Sequence, residues 1–129
     1  MNKILVEVSV GELLDKISIL EIKKEKIKDP AKLKYINDEH SILKDQLDRN
    51  LKSDDKLNDL FKSLKEINTR LWVIEDDKRM CEKNSDFTEN FIKLSRDVHF
   101  LNDERAKIKL KMNNHTGSKI REIKEYTNY

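Results

Sequence analysis

Residues 87–112 read FTENFIKLSRDVHFLNDERAKIKLKM. In this stretch Phe87, Phe91, Leu94, Val98, Leu101, Arg105, Ile108 and Met112 follow one another at alternating spacings of four and three. That alternation is the seam of a helix packed lengthwise against other helices. Arg105 occupies a seam position where an apolar residue is expected. The same spacing recurs upstream. Leu57, Leu60, Leu64, Ile67, Leu71, Ile74, Lys78 and Cys81 mark a third helix, and Leu33, Ile36, His40, Leu43 and Leu47 a second. Leu13, Ile17, Leu20, Lys24 and Ile27 mark the first, which Leu14, Ile19 and Ile22 widen to further faces. Such a helix is either central or touches a second chain. The pattern predicts one all-α domain over residues 1–129, an elongated antiparallel bundle of four principal, coiled-coil-like helices.

The punctuation fits four helices. Ser9-Val10-Gly11-Glu12 has the form of a capping box opening a helix over 10–28. Asp29-Pro30 stops that helix and starts the next, because proline disfavours helix before it and suits a first turn. Ser53-Asp54-Asp55 is the next junction, and Asn84-Ser85 breaks the third helix before Asp86-Phe87-Thr88-Glu89 opens the fourth. Gly117 is its expected left-handed terminator. Ile4, Val6 and Val8 alternate as in a strand. Ser118–Tyr129 reads either as a short helix or as a strand paired with 3–8, although a lone ribbon is marginal.

Charged residues make up 40% of the 129, which suits solvated helices carrying narrow apolar stripes. A slender bundle leaves apolar surface uncovered, so self-association as a homodimer is expected, with a further protein partner as the other way to cover it. The net charge of +2 gives no basic field for nucleic acid or anionic lipid. No apolar run approaches a membrane span, the first ten residues do not form a secretory signal, and Cys81 has no disulfide partner; these features point to the cytoplasm. Two basic stretches, 23–28 and 105–111, are read as solvated faces. In an up-and-down bundle they are expected to meet Glu75, Asp76 and Asp77, and Asp45, Asp48, Asp54 and Asp55 respectively.

No motif identifies a catalytic residue, a cofactor or a metal centre. No histidine follows a glutamate at di-iron spacing. Glu21 with Glu25, and Glu75 with Asp76, are the nearest carboxylate pairs for a divalent ion and form no site pattern. Arg105 carries the most information, since a guanidinium facing a core requires a carboxylate. Asn102 and Asp103 on its own helix, Glu75, Asp76 and Asp77 on the third, and Asp15 and Glu21 on the first are the candidate neighbours. His40 and Cys81 read as core residues, and Trp72 as core or interface.

Three segments then resemble, in order, a family of short bacterial and phage-type helical proteins classed as a domain of unknown function. They are Val8-Ser9-Val10-Gly11-Glu12-Leu13-Leu14-Asp15-Lys16-Ile17 through Glu21-Ile22-Lys23, then Leu71-Trp72-Val73-Ile74-Glu75-Asp76-Asp77 through Arg79, then Asn102-Asp103-Glu104-Arg105-Ala106-Lys107-Ile108-Lys109 up to Gly117-Ser118. The resemblance implies no activity. It does draw together Glu12, Asp15, Lys16, Glu21, Glu75, Asp76, Arg79, Asn102, Asp103 and Arg105 as one expected polar cluster between the first, third and fourth helices, with all but Glu12 and Lys16 as the eight candidate ligand-binding residues. Two roles follow. The first is an interaction or assembly module whose polar cluster fixes the bundle. The second is a small helical enzyme or binding protein gripping a phosphorylated or carboxylate metabolite through Arg105 and Arg79, with Glu75 or Asp103 as acid, base or metal ligand.

Overall fold

Four helices account for the ordered secondary structure of the computed structural model, which describes residues 2–129. They are α1 (Val10–Lys26), α2 (Pro30–Asn50), α3 (Asp55–Lys83) and α4 (Glu89–Thr116). Their ends follow from local chemistry. The Ser9 hydroxyl accepts from the Glu12 N–H, the Asp29 carboxylate from Ala31 N–H, and the Asp54 carboxylate from Leu57 N–H, so three of the four N-termini have side-chain caps. Pro30 stands in the first turn of α2. Gly117 ends α4 at φ 69°, the left-handed conformation that favours glycine. The expected capping box is half formed, because Glu12 turns instead to Lys16 and Lys109.

Short connections force an up-down-up-down path. The register is fixed by cross-helix pairs: Glu21 with His40 between α1 and α2, Asn90 with Cys81 between α4 and α3, and Gly11 with Asn113 between α1 and α4. Helix α1 is central. It is the one helix whose backbone approaches all three others, whereas α2 approaches α1 alone. Its composition explains this, since Leu14, Ile17, Leu20 and Ile22 are all at most 3% exposed and point to several sides. Leu14 joins Leu57, Leu64 and Met112 in the core, with Leu47, Leu60, Phe61 and Ile108 packed around them.

The helices differ in length, and this shapes everything else. Helix α1 has 17 residues and α3 has 29. Beyond Ile19 and Ile22, α3 and α4 continue as a two-helix arm. The Phe87, Phe91, Leu94, Val98 stretch of the seam therefore has only α3 to pack on. Phe87 is exposed and Phe91, Leu94 and Val98 are half-buried, while Leu101 and Met112, nearer α1, are buried.

Two expectations change. Among the described residues there is no strand: 2–9 and 118–129 are irregular and mostly exposed, so the terminal ribbon is absent. The two segments do start side by side, since Val10 N–H donates to the Ser118 hydroxyl. The basic stretches also lack the expected neighbours. Among the described residues the lysines of 23–28 make no ion pair with Glu75–Asp77, and Lys24 meets His40 instead. Helix α2 does not approach α4, which removes Asp45 and Asp48; Asp54 meets His115, one turn beyond the second stretch, and Lys109 pairs with Glu12, Asp15 and Glu122. Among the described residues no helix is long and apolar enough to cross a membrane.

Candidate functional site

Helices α1 and α4 come together at Gly11. Its N–H donates to the Asn113 side chain at 2.7 Å, and a Cβ built there would lie 2.7 Å from the Lys109 carbonyl. Glycine is required because the backbones nearly touch. One turn further along each helix, that approach places Asp15 opposite Arg105.

Asp15 is the hub. It is 2% exposed. Its Oδ1 accepts from Arg105 Nε at 3.0 Å and from Asn68 Nδ2 at 2.8 Å, and its Oδ2 accepts from Arg105 Nη2. The Lys109 ammonium is 3.7 Å from Oδ2. Asn68 also donates to the Ser18 hydroxyl at 2.8 Å, and that hydroxyl donates to the Asp15 carbonyl at 2.7 Å. Arg105 Nη1 reaches Asn102 Oδ1 at 3.4 Å. Lys109 donates to Glu12 at 2.8 Å and to Glu122 at 3.0 Å, which ties the C-terminal segment to the bundle. Among the described residues, every buried side-chain nitrogen and oxygen has a partner. A buried network is stable only under that condition.

The electrostatics follow from this pairing. Burial pushes the Asp15 carboxyl up, but hydrogen bonds from Arg105 and Asn68 and the charges of Arg105 and Lys109 outweigh burial and hold it below the usual carboxylate range. The hydrogen bond from Arg105 to Asp15 raises the guanidinium in return. Burial opposes the charge on Lys109, while Glu12, Glu122 and Asp15 raise its ammonium above the ordinary lysine value.

The exposed side of Arg105 opens onto a groove of about 440 Å³ between α1 and α3, with Asn68 at its base. Ile19, Ile22, Leu71 and Trp72 form its apolar wall, and Glu75, Asp76 and Arg79 stand on its rim. Six of the eight candidate residues thus lie around one feature. Arg105, Glu75, Asp76 and Arg79 line it, and Asp15 and Asn102 stand behind it through their hydrogen bonds with Arg105. The other two lie elsewhere. Glu21 points to the opposite flank of α1, where it meets His40 at 3.5 Å and Lys65 at 3.4 Å. Asp103 faces the C-terminal segment and accepts from the Tyr129 hydroxyl.

The partners that sequence reasoning missed are Ser18, Asn68, Lys109 and Glu122. Ser18 and Asn68 sit beside apolar neighbours, so a search for apolar spacing passes over them. A signal for Lys109 was present. Gly11 and Asp15 are four apart on α1, and Arg105 and Lys109 are four apart on α4, so two one-turn ladders face each other. No group of three or more histidine, cysteine or carboxylate side chains among the described residues could hold a metal ion.

Neither the curated proteins nor the solved structures contain a match to this chain. A family model does match, over residues 4–129, that of a family of unknown function, DUF6165. The match takes in all four helices and both halves of the Asp15–Arg105 pair, and this chain belongs to that family.

Proposed function

We propose that this chain is an assembly module that forms a homodimer through the Trp72 groove. The observation that carries the reading is the groove's composition. Its centre is apolar and aromatic, from Ile19, Leu71 and Trp72, and its rim holds charges of both signs. Tryptophan and arginine are the side chains most enriched at interface hot spots, and a charged rim around an apolar centre is the usual interface anatomy. Glu75, Asp76 and Arg79 make no ion pair among the described residues. A two-fold axis through the groove would set Arg79 of one copy against Glu75 and Asp76 of the other, the self-complementarity that an isologous dimer needs.

The exposed area supports the same reading. The chain exposes 9822 Å². A compact monomer of 15.4 kDa exposes about 7,200 Å². The excess exceeds each partner's share of a standard interface, about 800 Å². The irregular terminal segments supply part of it, and the arm and groove supply part. A metabolite-binding reading of the groove fits less well, because Glu75 and Asp76 repel a phosphate or carboxylate approaching Arg79.

Charge exchange tests the dimer. The unaltered chain should sediment at twice 15.4 kDa. Arg79→Glu alone, and Glu75→Arg with Asp76→Arg together, should each shift the mass toward the monomer, and mixing the two variants should restore the dimer. Leu71→Asp should also give monomer. A monomeric unaltered chain at the highest soluble concentration overturns the proposal. Leu64 is unsuited to this test, since it is fully buried and its substitution would disrupt the fold.

A further inference from the structure

A second cavity lies on the other side of α1 from the Trp72 groove. Helix α2 leans on α1 without its backbone approaching α3, and a cleft of about 290 Å³ remains between them. Leu14 and Ile17 floor it, Leu47 and Leu51 of α2 form one wall, and Leu57 and Phe61 of α3 the other. Leu14, Ile17 and Leu57 are each at most 5% exposed, so the cleft reaches the core. Small-molecule sites have this character, an apolar recess with few polar groups at its mouth, and the cleft lies at the small end of their range, which begins at about 300 Å³.

The charges at the mouth identify the head group. Glu21 is taken by Lys65 and His40. Lys44 and Asp48 hold each other at 3.0 Å. Ser53 and Asn58 are joined by a hydrogen bond of 2.6 Å. That leaves Lys52, which lines the cleft and has no ion-pair partner among the described residues. The one uncompensated charge at the mouth is positive. The interior offers leucine, isoleucine and phenylalanine surface.

We infer that this cleft binds a small amphiphile with a flexible apolar chain and a single carboxylate. The chain lies along Leu47, Leu51 and Phe61, and the carboxylate meets Lys52. The site shares no lining residue with the Trp72 groove, so the two readings stand or fall separately.

Octanoate is the probe, with octylamine and octan-1-ol as head-group controls, titrated calorimetrically into the full chain. The expected result is saturable one-to-one uptake of octanoate, with octylamine weakest. Lys52→Glu, at an exposed position that leaves the fold alone, should weaken octanoate by about fivefold. Leu47→Trp should fill the cleft and abolish uptake while the circular dichroism stays helical; Leu51→Trp serves if that variant does not fold. Three results overturn the inference: no saturable uptake by the unaltered chain, undiminished uptake in the folded Trp variant, or octylamine binding as tightly as octanoate.

Discussion

The root of the bundle and the α3–α4 arm use the same residue types to opposite effect. At the root, three helices enclose Asp15, Ser18, Asn68 and Arg105, and polar groups are buried because each finds a partner. On the arm two helices have only each other. Val73, Met80, Phe87 and Ile92 are about half exposed; the small Cys81 is buried, with Asn90 donating to its sulfur, and the other contacts are Lys78 over the Phe91 ring and Phe87 edge-on to Phe91. Burial here depends on how many helices surround a position more than on how apolar the position is. A third helix turns an aspartate into a core residue, and its absence leaves a phenylalanine in water.

The largest expected effect tests the root. Asp15→Asn leaves Arg105 and Lys109 without their buried counter-charge and should destabilise by about 3–5 kcal/mol in urea titration. Asp15→Leu combined with Arg105→Leu should recover most of that loss, because removing both members of a buried pair is far milder than removing one. If the double variant is as unstable as the single, the network does more than satisfy its own charges. The pH dependence has a definite sign. Asp15 titrates lower when folded than when unfolded, so its stabilisation is present above the unfolded value near 3.8 and is lost as pH falls through the folded value. Lys109 titrates higher when folded, so its contribution is present below about 10.5 and is lost as pH rises through the folded value. Both effects should disappear in variants lacking the respective side chain.

Next in size is Gly11→Ala. The added methyl would meet the Lys109 carbonyl at 2.7 Å, so α1 and α4 must separate or bend, at about 1–3 kcal/mol. Helix propensity alone would favour alanine by up to about 1 kcal/mol. The sign of the change therefore reports directly whether close approach governs the root. A stabilised variant would mean that the two helices can part without losing the Asp15–Arg105 pair.

How much of this was legible in the sequence depends on the same contrast. The four helices, their caps and the Gly117 terminator were readable because spacing and capping are local. Arg105 was conspicuous because it interrupted an apolar seam, and Asp15 stood among its candidate partners. Three things were not readable. That Asp15 would be chosen over Glu21, Glu75 or Asp76 depends on the approach of α1 and α4 at Gly11, a tertiary fact. The neighbours of the basic stretches depend on which helices meet and which side chains pair across them: α2 never approaches α4, Lys109 turns to Glu12, Asp15 and Glu122, and Lys24 turns to His40. The terminal ribbon failed because alternation in 3–8 supplies a strand's pattern but no sheet to join.

Truncations on the arm should matter less than truncations at the root. Leu64→Ala, at a fully buried site, should cost about 2–5 kcal/mol, and Leu94→Ala, at a half-buried one, about 1 kcal/mol. Amide hydrogen exchange should show the same gradient, with arm amides opening before those around Asp15. Equal protection along α4 would show that the arm is covered in solution. Protection concentrated near Leu71 and Trp72, rising with protein concentration, would come from the proposed dimer.

The smallest effect sharpens the comparison furthest, because it concerns the same chemistry in the other setting. Lys93 and Asp97 form an ion pair on the arm at 3.0 Å, one turn apart, with the lysine side chain 76% exposed. Asp15 and Arg105 form one at the root with the carboxylate 3% exposed. Lys93→Ala should cost no more than about 0.5 kcal/mol, since water and side-chain entropy offset most of an exposed pair. Raising the salt concentration toward 1 M should remove even that difference, while the cost of Asp15→Asn should persist, because buried charges are poorly screened. A salt-sensitive Asp15→Asn would mean that water reaches the root and that the three-helix enclosure is looser than its packing indicates. A salt-resistant Lys93→Ala would mean that something covers the arm.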